Sequence, residues 1–175
     1  AVLSVLTHTT HWYRAPGIRE YFTSAQFQSW LKGFDSVQTY GSSMGAHAAC
    51  LFAGVLGCRN VVALQPVSTL AADLVPWERR FAYGRTLDWS GTDRDAVLGL
   101  GNCPSVYAVY DPGNPDARHI ARFTAVVPEK MRLIEVPGAE HAVPRHLAGR
   151  GLLKDVTTLC LQGADPQQIR ARLAR

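Results

Sequence analysis

The chain has 175 residues, 47% of them hydrophobic and 18% charged, with 15 glycines, 10 prolines and a formal charge of +4. That size and apolar content suit one compact domain and exclude disordered, collagen-like and low-complexity chains. The arginines are scattered rather than gathered into one basic stretch, which argues against a nucleic-acid binder, and no apolar run approaches the roughly 20 residues of a bilayer-spanning helix.

The chain opens on Ala-Val-Leu-Ser-Val-Leu, too short and without the basic leader of a signal peptide, and it lacks an initiator Met. Short apolar, β-branched runs recur at 2–6, 36–40, 60–64, 105–110 and 131–136. They are continuous rather than alternating, the pattern of strands buried on both faces, so each is expected to be a strand. Helical spacing lies between most of them. Residues 18–31 follow Pro16-Gly17. Residues 44–56 are apolar nearly all round and close on Gly57, which predicts a buried helix. Residues 116–127 start on an Asp and stop at Pro128. Two last helices are expected at 146–161 and 166–174, the latter carrying Arg170 and Arg172, with Arg175 after it, where positive charge suits the helix dipole. Strand alternating with helix predicts right-handed β-α-β units, hence an α/β fold: a mainly parallel sheet of about five strands with helices on both faces. Residues 66–103, with Pro76, Trp77 and Trp89, have no clean period and are expected to form a lid-like insertion within the single domain 1–175.

Four cysteines, at 50, 58, 103 and 160, form no C-x-x-C pair and no zinc-spaced Cys/His cluster. Cys50 and Cys160 sit among apolar residues like reduced core thiols, which points to a reducing, cytoplasmic setting.

The stretch 38–47, Gln-Thr-Tyr-Gly-Ser-Ser-Met-Gly-Ala-His, contains G-x-S-x-G between an expected strand and an expected helix. A sharp strand-to-helix turn holds its central residue in a strained conformation, and small residues two before and two after give the crossing chain room. Ser43 is therefore the expected nucleophile, with Ser42 off the motif centre. The N–H of Met44, at the helix N-terminus, is the expected oxyanion donor. The same Gly/Ser pattern also suits a phosphate cradle or a plain tight turn.

A serine nucleophile needs a base, and the base an orienting carboxylate. His8 and His11 precede Ser43, His47 lies in the elbow helix, and His119 reads as an ordinary polar-face helix residue. His141, on a loop after the last expected strand, is the expected base, with His146 as the alternative. For the acid, Asp111 directly follows the strand at 105–110, at the edge where active-site groups of open parallel sheets gather. It is preferred to Asp116, which has another job as a helix N-cap. Glu140 reads as a solvated loop charge.

Tyr-Gly-Ser-Ser-Met-Gly at 40–45, an Asp after the next strand but one, and Pro-Gly-Ala-Glu-His at 137–141 resemble the α/β-hydrolase superfamily, from about residue 37 to about residue 153. Residues 62–68 and 75–80 are similar to bacterial members of loosely defined function. The resemblance implies a three-layer sandwich and a Ser-His-Asp hydrolase that forms an acyl-enzyme on a small-molecule ester or thioester, less readily an amide, without metal or cofactor. Acyl transfer on the same triad, or a catalytically inactive binding domain, are the alternatives it leaves. Members of this superfamily usually have several strands before the elbow, one of them feeding a loop that gives a second oxyanion donor. Only residues 2–6 precede it here, so the chain is expected to be N-terminally shortened, with the donor either in 7–13 or in sequence not present.

Overall fold

In a computed structural model that describes residues 1–174, four strands form one all-parallel sheet: β1 (Gln38–Ser42), β2 (Asn60–Leu64), β3 (Val106–Tyr110) and β4 (Met131–Glu135). Their spatial order is β1-β2-β3-β4, with register Ser42↔Leu64, Leu64↔Val109 and Val109↔Ile134. All five residues of β2 and of β3 are buried, whereas the two flanking strands keep exposed positions. Side chains alternate across a pleated strand. Val61, Ala63, Val106 and Ala108 accordingly join one core cluster with Phe22, Phe27, Cys50, Leu51, Ile120 and Phe123. Val62, Leu64, Tyr107 and Val109 join another with Val143, Leu147, Val156, Cys160 and Ile169.

The helices are α1 (Ile18–Thr23), α2 (Ala25–Leu31), α3 (Met44–Leu51), α4 (Ala82–Arg85), α5 (Asp116–Val126), α6 (Val143–Gly149), α7 (Leu153–Leu161) and α8 (Pro166–Leu173). The single helix expected over 18–31 is broken at Ser24, which is extended (φ −60°, ψ 143°) and whose side chain caps α2 by accepting from the Phe27 N–H. The last turn expected for α3 is lost after Leu51, and the chain leaves through Gly57 at φ 59°. The helix expected over 146–161 begins earlier, at Val143 beside Pro144, and is divided by Gly151 at φ 69°. Asp165 caps α8 by accepting from the Gln167 N–H at 2.7 Å. Arg175, the last of the C-terminal basic residues, lies outside the described residues.

Residues 2–6 correct the expected strand count. They form no strand, leaving four rather than five among the described residues. Val2 and Leu6 are 93% and 86% exposed, while Ala1, Leu3 and Val5 face a groove of ≈ 260 Å³ beside β1, opposite Phe27, Trp30 and Tyr40. A short apolar, β-branched run fits a strand but does not supply the partner backbone that makes one. Residues 66–103 hold one short helix and two 3-10 turns, and their lead-in, 66–71, is wholly buried. Among the described residues no helix is long and apolar enough to cross a membrane, and no group of His, Cys, Asp and Glu has the proximity to hold a metal ion. All four cysteines are free and buried.

Candidate active site

At the C-terminal end of β1 the chain turns sharply into α3, and Ser43 sits at the turn with φ 51° and ψ −114°. A non-glycine residue rarely adopts this conformation, and it persists only where neighbours impose it. Two contacts do so. The Ser43 N–H donates to the Leu64 carbonyl at 2.9 Å, tying the elbow to β2, and the His47 N–H closes the first turn of α3 on the Ser43 carbonyl at 2.9 Å. The crossing is tight on one side only. A Cβ at Gly41 would lie 2.2 Å from the Gly45 carbonyl carbon and oxygen, whereas one at Gly45 meets nothing within 4 Å. The motif's first glycine is thus a steric requirement, and its last glycine is not one by its own side chain. Ser42 ends β1 in register with Leu64 and has no share in the strained turn.

The structure brings three of the sequence's candidates together. Ser43 Oγ lies 2.7 Å from His141 Nε2, and His141 Nδ1 lies 2.8 and 2.9 Å from the two oxygens of Asp116. The carboxylate is fully buried, while the imidazole keeps 23% of its side-chain surface exposed. Nδ1 carries the proton toward Asp116, and Nε2 is left to accept from the serine hydroxyl. Phe81 meets the His141 ring edge-on at 5.3 Å between centroids. Met44 begins α3 and packs partly buried against a small cluster of Trp12, Val67, Leu70, Ala71 and Trp89. Its backbone N–H belongs to the first turn, where donors have no intrahelical partner.

Asp111, the acid expected from position, is not the partner of His141. Its two oxygens accept from the backbone N–H groups of Gly113 at 2.9 Å and Glu140 at 2.7 Å. It therefore knits the loop after β3 to the loop that carries His141. Asp116 lies five residues on, in the first turn of α5, and makes no side-chain cap there. Pro115 occupies the cap position instead, which releases the Asp116 carboxylate to face the histidine. His146 lies in α6, half-buried, and Glu140 is exposed at φ 51°.

Three features here were not among the sequence candidates. Gln65, at φ 41° directly after β2 and 4% exposed, donates to the His141 carbonyl at 3.0 Å and accepts from the Val143 N–H at 2.6 Å. It clamps the histidine loop from both ends. Arg80 pairs with Asp116 Oδ1 at 2.9 Å, the oxygen that also lies 2.9 Å from His141 Nδ1. His119 corrects its reading as an ordinary helix-surface residue. It is fully buried, with Nε2 3.1 Å from Glu78 and Nδ1 2.9 Å from Ser68 Oγ. Burial holds its imidazole below the ordinary value, against the raising effect of Glu78. Burial pushes the Glu78 carboxyl up, but hydrogen bonds from His119 and Arg80 outweigh it and hold the group well below the usual carboxylate range. Ser68, His119 and Glu78 imitate a Ser-His-acid set, yet all three are closed to solvent and Ser68 Oγ also receives Arg122 at 2.6 Å. Their role is to satisfy buried polar groups in an irregular segment. The signal for Gln65 is a polar side chain directly after an apolar strand, where loops of parallel sheets converge. Arg80 and Glu78 pair with each other two residues apart, but their links to Asp116 and His119 are remote in the chain and leave no sequence signal.

His47 is fully buried in α3, its Nδ1 donating to the Val67 carbonyl at 3.0 Å, and burial lowers its pKa to about 4. Its ring packs between Trp12 and Trp89, and its hydrogen bond to Ser43 is made by the backbone N–H alone. Compared with family models, with curated proteins and with solved structures, the chain matches none.

Proposed function

We propose that this protein is a serine hydrolase with α/β-hydrolase-like, three-layer organisation, acting on an ester or thioester of a small molecule. The observation that carries the reading is the hydrogen-bonded line from Ser43 Oγ through His141 to the buried Asp116, with the serine held at φ 51°. Ser43 Oγ attacks the acyl carbonyl as His141 Nε2 takes its proton, and the Met44 N–H meets the developing oxyanion at the head of α3. His141 then protonates the departing alcohol or thiol. Water, deprotonated by His141, releases the acid and restores the serine. Asp116 keeps the proton on Nδ1 and stabilises the imidazolium that forms midway. A small ester rather than a peptide is favoured by analogy with what such frameworks serve.

A fluorophosphonate probe tests this directly. The expected result is one adduct, mapped to Ser43 by peptide mass and absent in Ser43→Ala. Folded protein that leaves Ser43 unmodified under conditions that label a control serine esterase would remove the reading.

A further inference from the structure

Asp116 has two neighbours of opposite demand. One is His141, whose proton it holds. The other is Arg80, whose guanidinium reaches it at 2.9 Å from the segment that follows β2. Arg80 is not a loose surface cation. Its Nε lies 3.1 Å from both oxygens of Glu78 and its backbone N–H donates to Glu78 at 2.8 Å. Its third nitrogen donates to Asn114 Oδ1 at 2.8 Å, and the group lies over the Phe81 ring at 5.1 Å. Asn114 Oδ1 also accepts from the Asp116 N–H at 3.2 Å. Glu78 is anchored in turn by His119. All three nitrogens of the guanidinium fork are therefore engaged, and the fork has one orientation available. The side chains that fix it all belong to the same two stretches that carry Asp116 and cover His141.

We propose that Arg80 is a positioning residue for the triad, holding the Asp116 carboxylate in place and partly neutralising the charge it presents to His141. This rests on the serine-hydrolase reading above. The physical reason is that a buried carboxylate facing an imidazole alone would bind the imidazolium strongly and keep the base protonated. Arg80 reaches Asp116 Oδ1, the oxygen that His141 Nδ1 also contacts, so the carboxylate's negative charge is divided between the ring and the guanidinium. The other ionisable groups bonded to or flanking this pair are Glu78 in the same segment, Asp111 after β3, Arg118 and His119 on α5, Glu140 beside His141, and Arg145 and His146 on α6. Among these, Arg80 is the cation in salt-bridge contact with Asp116.

The test is the rate of fluorophosphonate labelling of Ser43 as a function of pH, in wild type, Arg80→Met, Arg80→Lys and Arg80→Ala with and without added guanidinium. Arg80→Met should lower the rate by about 100-fold, as expected for a displaced catalytic group, and move the acid limb of the profile to higher pH. Arg80→Lys should keep the acid limb near its wild-type position, because the charge remains, while recovering only part of the rate, because the fork is lost. Guanidinium should restore both rate and acid limb in Arg80→Ala. A merely structural arginine would alter the melting temperature and leave the acid limb where it was. The proposal is overturned if folded Arg80→Met labels at the wild-type rate with the wild-type profile. Should Arg80→Met fail to fold, absence of guanidinium rescue in Arg80→Ala overturns it instead. Wild-type protein that does not label at all sinks the hydrolase reading itself, a different outcome.

Discussion

Replacing Asp116 by Asn keeps the shape of the side chain and removes its charge. In the native site both oxygens accept from His141 Nδ1, one of them also from Arg80. An asparagine offers only one oxygen, so in either orientation its NH2 faces Nδ1–H, and in one of them it faces the arginine as well. The imidazole then adopts the other tautomer, with the proton on Nε2, and cannot accept from Ser43. In a Ser-His-Asp triad of the chymotrypsin type that change costs about 10⁴ in kcat, which is about 5.4 kcal/mol of transition-state stabilisation, and the same is expected here on the proposed function. Asp111→Asn is the matched control. Asp111 binds two backbone N–H groups and no side chain of the triad. Losing one charge-assisted bond there costs about 2 kcal/mol of stability, or roughly 4–8 °C in Tm for a chain of this size. Its effect on kcat should stay within about tenfold, through looser placement of the Glu140–His141 loop. Hydrolysis of an activated aryl ester, paired with thermal melts of both variants, separates the two. A folded Asp116→Asn variant with near-wild-type kcat, beside an inactive Asp111→Asn, would refute the proposed role of Asp116 as the acid.

Three further outcomes follow from the geometry. Gly41→Ala drives its Cβ into the Gly45 backbone and should cost about 3 kcal/mol or more, read by urea denaturation, whereas Gly45→Ala should be neutral or stabilise by about 0.5–1 kcal/mol because its Cβ has open space. Gln65→Leu leaves the His141 carbonyl and the Val143 N–H unpaired; it should lower kcat by up to about 100-fold with little change in KM, since it displaces the base and not the substrate. His47 is neutral in the folded protein down to pH about 4, against 6.5 when unfolded. Because its folded value is lowered, the unfolded chain binds the extra proton. The stability it supplies is complete above pH 6.5 and is lost as pH falls toward 4, amounting to about 3 kcal/mol. His47→Asn, which preserves a donor to Val67, should flatten that part of the stability profile; an unchanged slope between those pH values would show that other groups control it.

The amino-acid order alone determined most of what is local. Continuous apolar runs gave β2 and β3, which are buried at every position, and the G-x-S-x-G spacing placed Ser43 at a turn whose tightness is visible at Gly41. His141 was legible from the order of elements, because it follows the last strand. Tertiary structure decided what depends on distance through space. Asp111 and Asp116 are both acids just beyond β3, and sequence favoured the nearer; the nearer one is taken by two backbone N–H groups, and the five loop residues 111–115 separate β3 from Asp116, the histidine's partner. Residues 2–6 have the composition of a strand and no hydrogen-bonded neighbour, since pairing is a property of two segments. Gln65, Glu78, Arg80 and His119 acquire their roles only when segments 34 to 78 residues apart in the chain meet. Local pattern encodes backbone conformation and burial, whereas the partner of a buried charge is chosen by the packing of elements that the pattern cannot order.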